Sequence, residues 1–363
     1  MNKMITLNTD RTTGLKNYLK ELLINEKISS VLSLRRLKNG KIDYGLISKA
    51  ELIDDIEPFY PLMPANAGQL MGGFTPMEKP IAAVVRPCEF RAFVEMVKRE
   101  QVKRADFLVI TYSCGGVFPL KINAVQDIDK ILTEYQQQVA DLEIPAGIRT
   151  ACTGCEHINP QEADIFISIA GADNASLQAW LRTDTAISLA EFWHTETIDN
   201  DYEESRLEPL LAKRKTAKEK LFAEVNTEDT GLDGLIDIFG RCIGCHGCNS
   251  VCPICYCTLC DFDSFNYDYN RQILEKELEQ KGALRLPPDT LFFHLGRLSH
   301  MSFSCVGCGM CSDVCPADIP VASIFKRIGE ETAGMFEFIA GRSVSEEIPV
   351  MIFKEEEFPE LGE

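Results

Sequence analysis

The sequence predicts two unlike halves: an α+β, α/β-like domain over residues 1–202 and a mainly helical, cysteine-rich domain over residues 231–345. A charged helical linker at 203–230 joins them and an acidic tail at 346–363 follows. Three observations predict this. Apolar strands alternate with amphipathic helices through roughly the first 200 residues, the pattern of layered folds. Eleven of the fifteen cysteines fall between Cys242 and Cys315. Charge divides in the same place, with 10 basic and 23 acidic side chains in residues 227–363 (net −13) against 27 and 32 in residues 1–226 (net −5).

Residues 11–24 set Leu15, Tyr18, Leu19, Leu22 and Leu23 at helical spacing. ISSVLSLRRL and IDYGLIS then flank Asn39-Gly40, which predicts a β-hairpin. KPIAAVVR reads as a short buried strand, and Pro87 opens the helix CEFRAFVEMVKRE, in which Phe90, Phe93, Val94 and Val97 share a face. DFLVITYS and ADIFISIAG predict two further strands. Residues 203–226 are dense in Glu, Lys and Arg and read as an exposed linking helix. Beyond it, RQILEKELEQKG and DTLFFHLGRLSHM are helix-like, and the tail KEEEFPELGE is acidic and predicted mobile. No uncharged apolar run approaches the ~18 residues a membrane span needs.

CIGCHGCNSVC before Pro253 and CVGCGMCSDVC before Pro316 repeat one spacing, C-x2-C-x2-C-x3-C-P. Three thiolates two residues apart can meet three corners of one cubane, while the fourth, turned away by the proline, reaches the other cluster. The expected sets are therefore Cys242, Cys245, Cys248 with Cys315, and Cys305, Cys308, Cys311 with Cys252, two 4Fe-4S clusters of ferredoxin type. Gly244, Gly247, Gly307 and Gly309 suit a loop that wraps closely and aims N–H groups at sulfur. Zinc would close with two C-x2-C pairs and has no use for a third and fourth cysteine before proline. Disulfides need an oxidising compartment, and the N-terminal stretch has no apolar signal core; a cytoplasmic, anaerobic setting is expected. The 52 residues between the motifs argue for a helical dicluster domain rather than a compact ferredoxin. Its negative charge speaks against nucleic acid and for a basic protein partner.

Four cysteines lie upstream. Cys88 stands where a strand passes into a helix, Cys114 at the end of the next strand, and Cys152 and Cys155 form a C-x2-C pair before a third. They could close another 4Fe-4S site at one sheet edge, or serve as inert packing thiols. Cys255, Cys257 and Cys260 are three thiols within six residues, open to a metal role with an outside ligand or to packing. His246, inside the first motif, is expected to donate a hydrogen bond beside a cluster and tune its potential. His157 beside Glu156 reads as a surface residue or a proton-transfer group, and His294 and His300 as structural.

VVRPCEFRAFVEMV, FLVITYSCGG and ACTGCEHINPQEADIFISIAG, in this order, resemble the beta subunits of coenzyme F420 (deazaflavin) hydrogenase and formate dehydrogenase. The resemblance covers residues 15–200. It implies an FAD-binding α+β domain with its own 4Fe-4S cluster, held here by Cys88, Cys114, Cys152 and Cys155; formate dehydrogenase members also append two ferredoxin-type clusters. The family's Gly-Gly loop before the first helix is missing, since the stretch reads NTDRTTGLKNYL, and no G-x-G-x-x-G replaces it. Gly68, Gly72 and Gly73 could form a flavin-contacting loop or an ordinary turn, with Gly115 and Gly116 the other glycines placed near the cofactor.

The leading expectation is an iron–sulfur electron-transfer subunit of an anaerobic oxidoreductase, in a formate dehydrogenase, hydrogenase or heterodisulfide-reductase-like complex with other redox subunits. A second is an enzyme proper, whose FAD takes a hydride from reduced deazaflavin or NAD(P)H and splits it into single electrons. A non-catalytic redox sensor or scaffold is the third.

Overall fold

The computed structural model describes residues 2–74, 78–121, 125–225, 231–263, 271–284, 286, 287 and 289–352; the tail KEEEFPELGE lies outside the described residues. The first half is built on a mixed sheet of strands β1 Lys3–Leu7, β2 Ser30–Arg36, β3 Ile42–Ile47, β4 Ile81–Val84, β5 Phe107–Tyr112, β6 Ile165–Ile167, β7 Leu177–Leu181 and β8 Ile198–Asp199. Their order is β3-β2-β4-β5-β6-β7-β1-β8. β2, β4, β5 and β6 run parallel, with Ile81 opposite Phe107 and Ile110 opposite Ile165, and the flanking pairs are antiparallel. The predicted hairpin is β2–β3, its turn relieved by Gly40 at φ 79°.

Helices cover both faces, which is why the central strands read as unbroken apolar runs. Ile81 and Ala83 of β4 join Phe90, Phe93 and Val94 of α3 (Pro87–Lys98) and Ala67 and Met71 of α2 (Ala67–Gly72). Ala82 and Val84 face the other way, into the core of α1 (Arg11–Ile24) and α4 (Val125–Ala140). Each fully buried Phe or Leu of these layers stabilises by about 1.5–3 kcal/mol. β1, β7 and β8 are too ordinary in composition to announce themselves; pairing with one another makes them strands. The remaining helices of this half, α5 (Thr150–Thr153) and α6 (Asp184–Ser188), are single turns.

The linker helix α7 (Glu208–Glu224) is charged as expected, yet its Leu210 and Arg214 are buried against the sheet domain. After it the described residues are helical: α8 (Gly231–Phe239), α9 (Gly247–Ser250), α10 (Arg271–Lys281), α11 (Thr290–Met301), α12 (Met310–Asp313) and α13 (Val321–Gly334). This half does not hang free. Ala92 of α3 shares a core with Ile254, Val306, Phe338, Ala340 and Ile348, so the outer face of α3 is the seat of the second half. Arg91 of α3 donates to the Ala340 and Val306 carbonyls at 2.7–3.2 Å, and Glu95 accepts from the Gly341 N–H at 2.7 Å. Among the described residues no helix is long and apolar enough to cross a membrane.

Candidate functional site: three sets of thiols

The first set is assembled at the sheet edge where the parallel strands end. β4 delivers Cys88 to the first turn of α3, where Pro87 and the Glu89 carboxylate, accepting the Arg86 N–H at 2.8 Å, start the helix. β5 delivers Cys114, and α5 brings Cys152 and Cys155 to the same edge, anchored by the Arg149 N–H donating to the Val117 carbonyl at 2.7 Å. The four thiols line one cavity, with Arg86, Arg149, Arg214 and His157 around them. Burial raises the Cys88, Cys114 and Cys152 thiols above their ordinary range, Cys114 to about 11. Gly116 N–H points at Cys114 Sγ, 3.3 Å away.

Gly307 and Cys308 line this same cavity and also the next one. The second cavity is bounded by Cys252, Cys305, Cys308 and Cys311, within a wall of Ile254, Met301, Ala322 and Phe325. Cys252 thus sits with the thiols of the other motif. Burial pushes Cys308 up to about 12 and Cys311 well up, and neighbouring Cys252 adds to both. In the third set, burial raises Cys248 to about 11 against the pull of Arg297, with Cys242, Cys245 and Cys315 contributing in the same direction as burial. Its Cys245 is exposed.

The two motifs adopt one backbone. Gly244 and Gly307 have φ 66° and 68°, and each motif runs into a one-turn helix, α9 or α12, before its last cysteine. Gly244 N–H and Ile319 N–H approach Cys242 Sγ and Cys315 Sγ at 3.4 Å.

Among the described residues no three Cys, His, Asp or Glu side chains form a group that could hold a single metal ion. The thiols of the first and second sets stand instead around cavities, as a multi-atom group requires. Two arginines supply the test of what such a group is. Arg214 and Arg297 are 1% and 3% exposed, and among the described residues neither has a carboxylate within ion-pair distance. Arg214 donates to the Cys155, Cys114 and Gly115 carbonyls at 2.9–3.0 Å, and Arg297 to Cys248 Sγ and O, both at 3.1 Å. The Nε of each is buried without a partner. A buried cation needs an anion, and an orphan donor needs an acceptor. An anionic sulfur cluster on these cysteines would meet both needs.

The other predicted residues fall as follows. Cys255 hydrogen-bonds Cys252, which helps hold the Cys252 thiol below its ordinary value; Cys257 is exposed, and Cys260 packs beside Phe262 and Phe293. Gly68 and Gly72 lie in α2 and Gly73 caps it, so no loop forms there; a Cβ on Gly68 would meet the Glu89 carbonyl at 2.6 Å. A Cβ on Gly115 would meet Val139 and Tyr135, and one on Gly116 would meet Ile148. His246 stacks on Phe293 at 4.3 Å. His157 is partly buried rather than on the surface, and Arg91, burial, Lys326 and Lys218 hold it well below its usual value. His294 stacks on Phe239 at 4.2 Å and is lowered to about 4 by burial, Arg297 and His246. The arginines were missed. Their signal was present: Arg86 and Arg149 stand two and three residues before Cys88 and Cys152, and Arg297 interrupts an apolar helix.

Fold and thiol sets together define an iron–sulfur electron-transfer protein. Residues 237–319 match the family described as 4Fe-4S dicluster domain. The chain is 28% identical over 89% of its length, and 89% of the relative's, to the F420-dependent formate dehydrogenase subunit beta of Methanocaldococcus jannaschii. It is 27% identical to the F420-dependent formate dehydrogenase 1 subunit beta of Methanococcus maripaludis, over 69% of this chain and 70% of that one. A chain of the xenon-derivatised F420-reducing NiFe hydrogenase complex from Methanosarcina barkeri aligns at TM-score 0.44 and 12% identity, over 64% of this chain and 94% of that chain. The chain is a relative of the F420-dependent formate dehydrogenase beta subunits with a 4Fe-4S dicluster region in its second half.

Proposed function

We propose that the chain is the electron-relaying subunit of an anaerobic oxidoreductase complex of the formate dehydrogenase, hydrogenase or heterodisulfide-reductase kind. In this reading three 4Fe-4S clusters are held by Cys88, Cys114, Cys152 and Cys155, by Cys252, Cys305, Cys308 and Cys311, and by Cys242, Cys245, Cys248 and Cys315. When bound, such clusters take up and return single electrons. The observation that carries the reading is that Cys308 lines the cavities of both the first and second sets, while Arg297 borders the second and touches Cys248 of the third. The order of the relay follows: sheet-domain set, middle set, outer set. At the outer end Ile243 and Cys245 are exposed, and Leu259 and Phe292 stand out beside the cluster of Cys248, Phe262 and Phe293, a face suited to a partner redox subunit.

A second reading, hydride splitting at a bound FAD, is favoured by one feature. A cavity of about 330 Å³ opens between the halves, lined by His157, Glu156, Arg91, Lys218 and Lys326 and reaching Cys305. A flavin seated there would lie between two thiol sets.

Iron and flavin quantitation after anaerobic purification tests both. About twelve iron atoms are expected, four per set. Cys152→Ser should remove about four and leave the spectrum of the other two sets intact. An iron content of about eight in the unaltered protein sinks the sheet-domain cluster. Absence of flavin and of NAD(P)H or deazaflavin oxidation removes the enzyme reading.

A further inference from the structure

We infer that Arg297 is a positioning residue that ties the outer and middle thiol sets together and fixes the reduction potentials of both. The inference rests on the cluster reading above. Arg297 projects from the buried face of α11, which also carries Phe293, His294 and Leu298. Its two Nη atoms hold Cys248, a thiol of the outer set, by Sγ and carbonyl oxygen at 3.1 Å each. The same side chain lines the cavity of Cys252, Cys305, Cys308 and Cys311, the middle set. The rings of Phe293 and Phe325 lie 5.5 and 5.0 Å from its guanidinium carbon, which keeps the charge dry.

An arginine that served packing alone would saturate its donors on carbonyls, as Arg91 does. Arg297 has one sulfur and one carbonyl for acceptors and leaves Nε buried and unpaired. The groups that raise its proton affinity are cysteines: Cys248 of the outer set, Cys252 and Cys311 of the middle set, and Cys255 beside them. A fixed positive charge there favours the more negative, reduced state of whatever the thiols hold, and a dry surrounding strengthens the effect. Because the charge stands between two sets, both respond to its loss. The sheet-domain set, with its own Arg86, Arg149 and Arg214, does not.

The test is a potentiometric titration of Arg297→Gln, followed by electron paramagnetic resonance, on anaerobically isolated full-length protein. The expected result is a downward shift of both dicluster potentials by at least 59 mV, a tenfold change in the oxidised-to-reduced ratio of a one-electron couple, with the sheet-domain potential unmoved. Unchanged potentials at full iron content overturn the inference, and so does a shift confined to one of the two. Should the glutamine variant be short of iron, Arg297→Lys takes its place. Its shorter ammonium cannot hold both Cys248 atoms, and a smaller downward shift of both clusters is expected; none overturns the inference. Failure of the cluster reading is seen separately, as too little iron in the unaltered protein.

Discussion

At the position after its second cysteine the first motif carries His246 and the second carries Gly309, and both adopt left-handed backbone, φ 53° and 81°. His246 has room to stack on Phe293. Gly309 has none, because a Cβ there would lie 2.4 Å from Arg149 Cδ and 2.8 Å from Ala151 Cβ. Two residues past the third cysteine the contrast recurs. Ser250 is exposed, whereas Asp313 is buried and accepts from Arg149 Nε at 2.8 Å and from the Leu120 N–H at 3.1 Å. The ligand spacing is the same in both motifs. What differs is what presses on it: the second motif is clamped to the sheet domain, and the first meets solvent at Cys245. In the proposed relay, clamping suits the middle, where distances to both neighbours must be held, and exposure suits the end.

The comparison breaks first at the ligands. If Cys252 serves the second motif's thiols, Cys252→Ala should disturb the cluster of Cys305, Cys308 and Cys311 and leave the Cys242 cluster in place, as read by iron content and by the spectra of the reduced protein. Loss confined to the Cys242 cluster would return Cys252 to its own motif. Next in size is the clamp. Asp313→Ala leaves Arg149 buried without its carboxylate and should cost about 3–5 kcal/mol, while Ser250→Ala at the matching position should stay within about 0.5 kcal/mol. Chemical denaturation of the two variants measures the difference, and equal midpoints would mean that the second motif is not held by this pair. Smallest is the backbone swap. Gly309→Ala forces a side chain into Arg149 and Ala151 at positive φ and should cost about 1–3 kcal/mol, whereas His246→Gly gives up the Phe293 stack, about 0.5–1.5 kcal/mol. A Gly309→Ala variant as stable as its parent would show that the halves can part by a few tenths of an ångström without loss.

Much of the fold was legible because periodicity is local. The hairpin around Gly40, the strands β4 and β5 and the helix opened by Pro87 each carry their signal within ten residues or so of sequence. The strands β1, β7 and β8 do not, since two to five ordinary residues become a strand only when a neighbour supplies the hydrogen bonds. The glycines of α2 misled for a related reason: Gly68 and Gly72 read as a loop, but the demand at Gly68 is for closeness between α2 and α3.

By itself the sequence determined the cysteine grammar, and with it the iron–sulfur character of the second half, because cluster ligands obey fixed spacings along the chain. It also determined that the two halves differ in charge and architecture. Only the tertiary structure decided that Cys88, Cys114, Cys152 and Cys155 share one cavity, that Cys308 stands at the border of that cavity and the next, and that Arg214 and Arg297 lie buried beside thiols with, among the described residues, no carboxylate of their own. These are relations between residues up to about two hundred positions apart. They are settled by which surfaces pack, here the outer face of α3 against the returning segment around Phe338 and Ala340, and a pattern read along the chain contains no record of that choice.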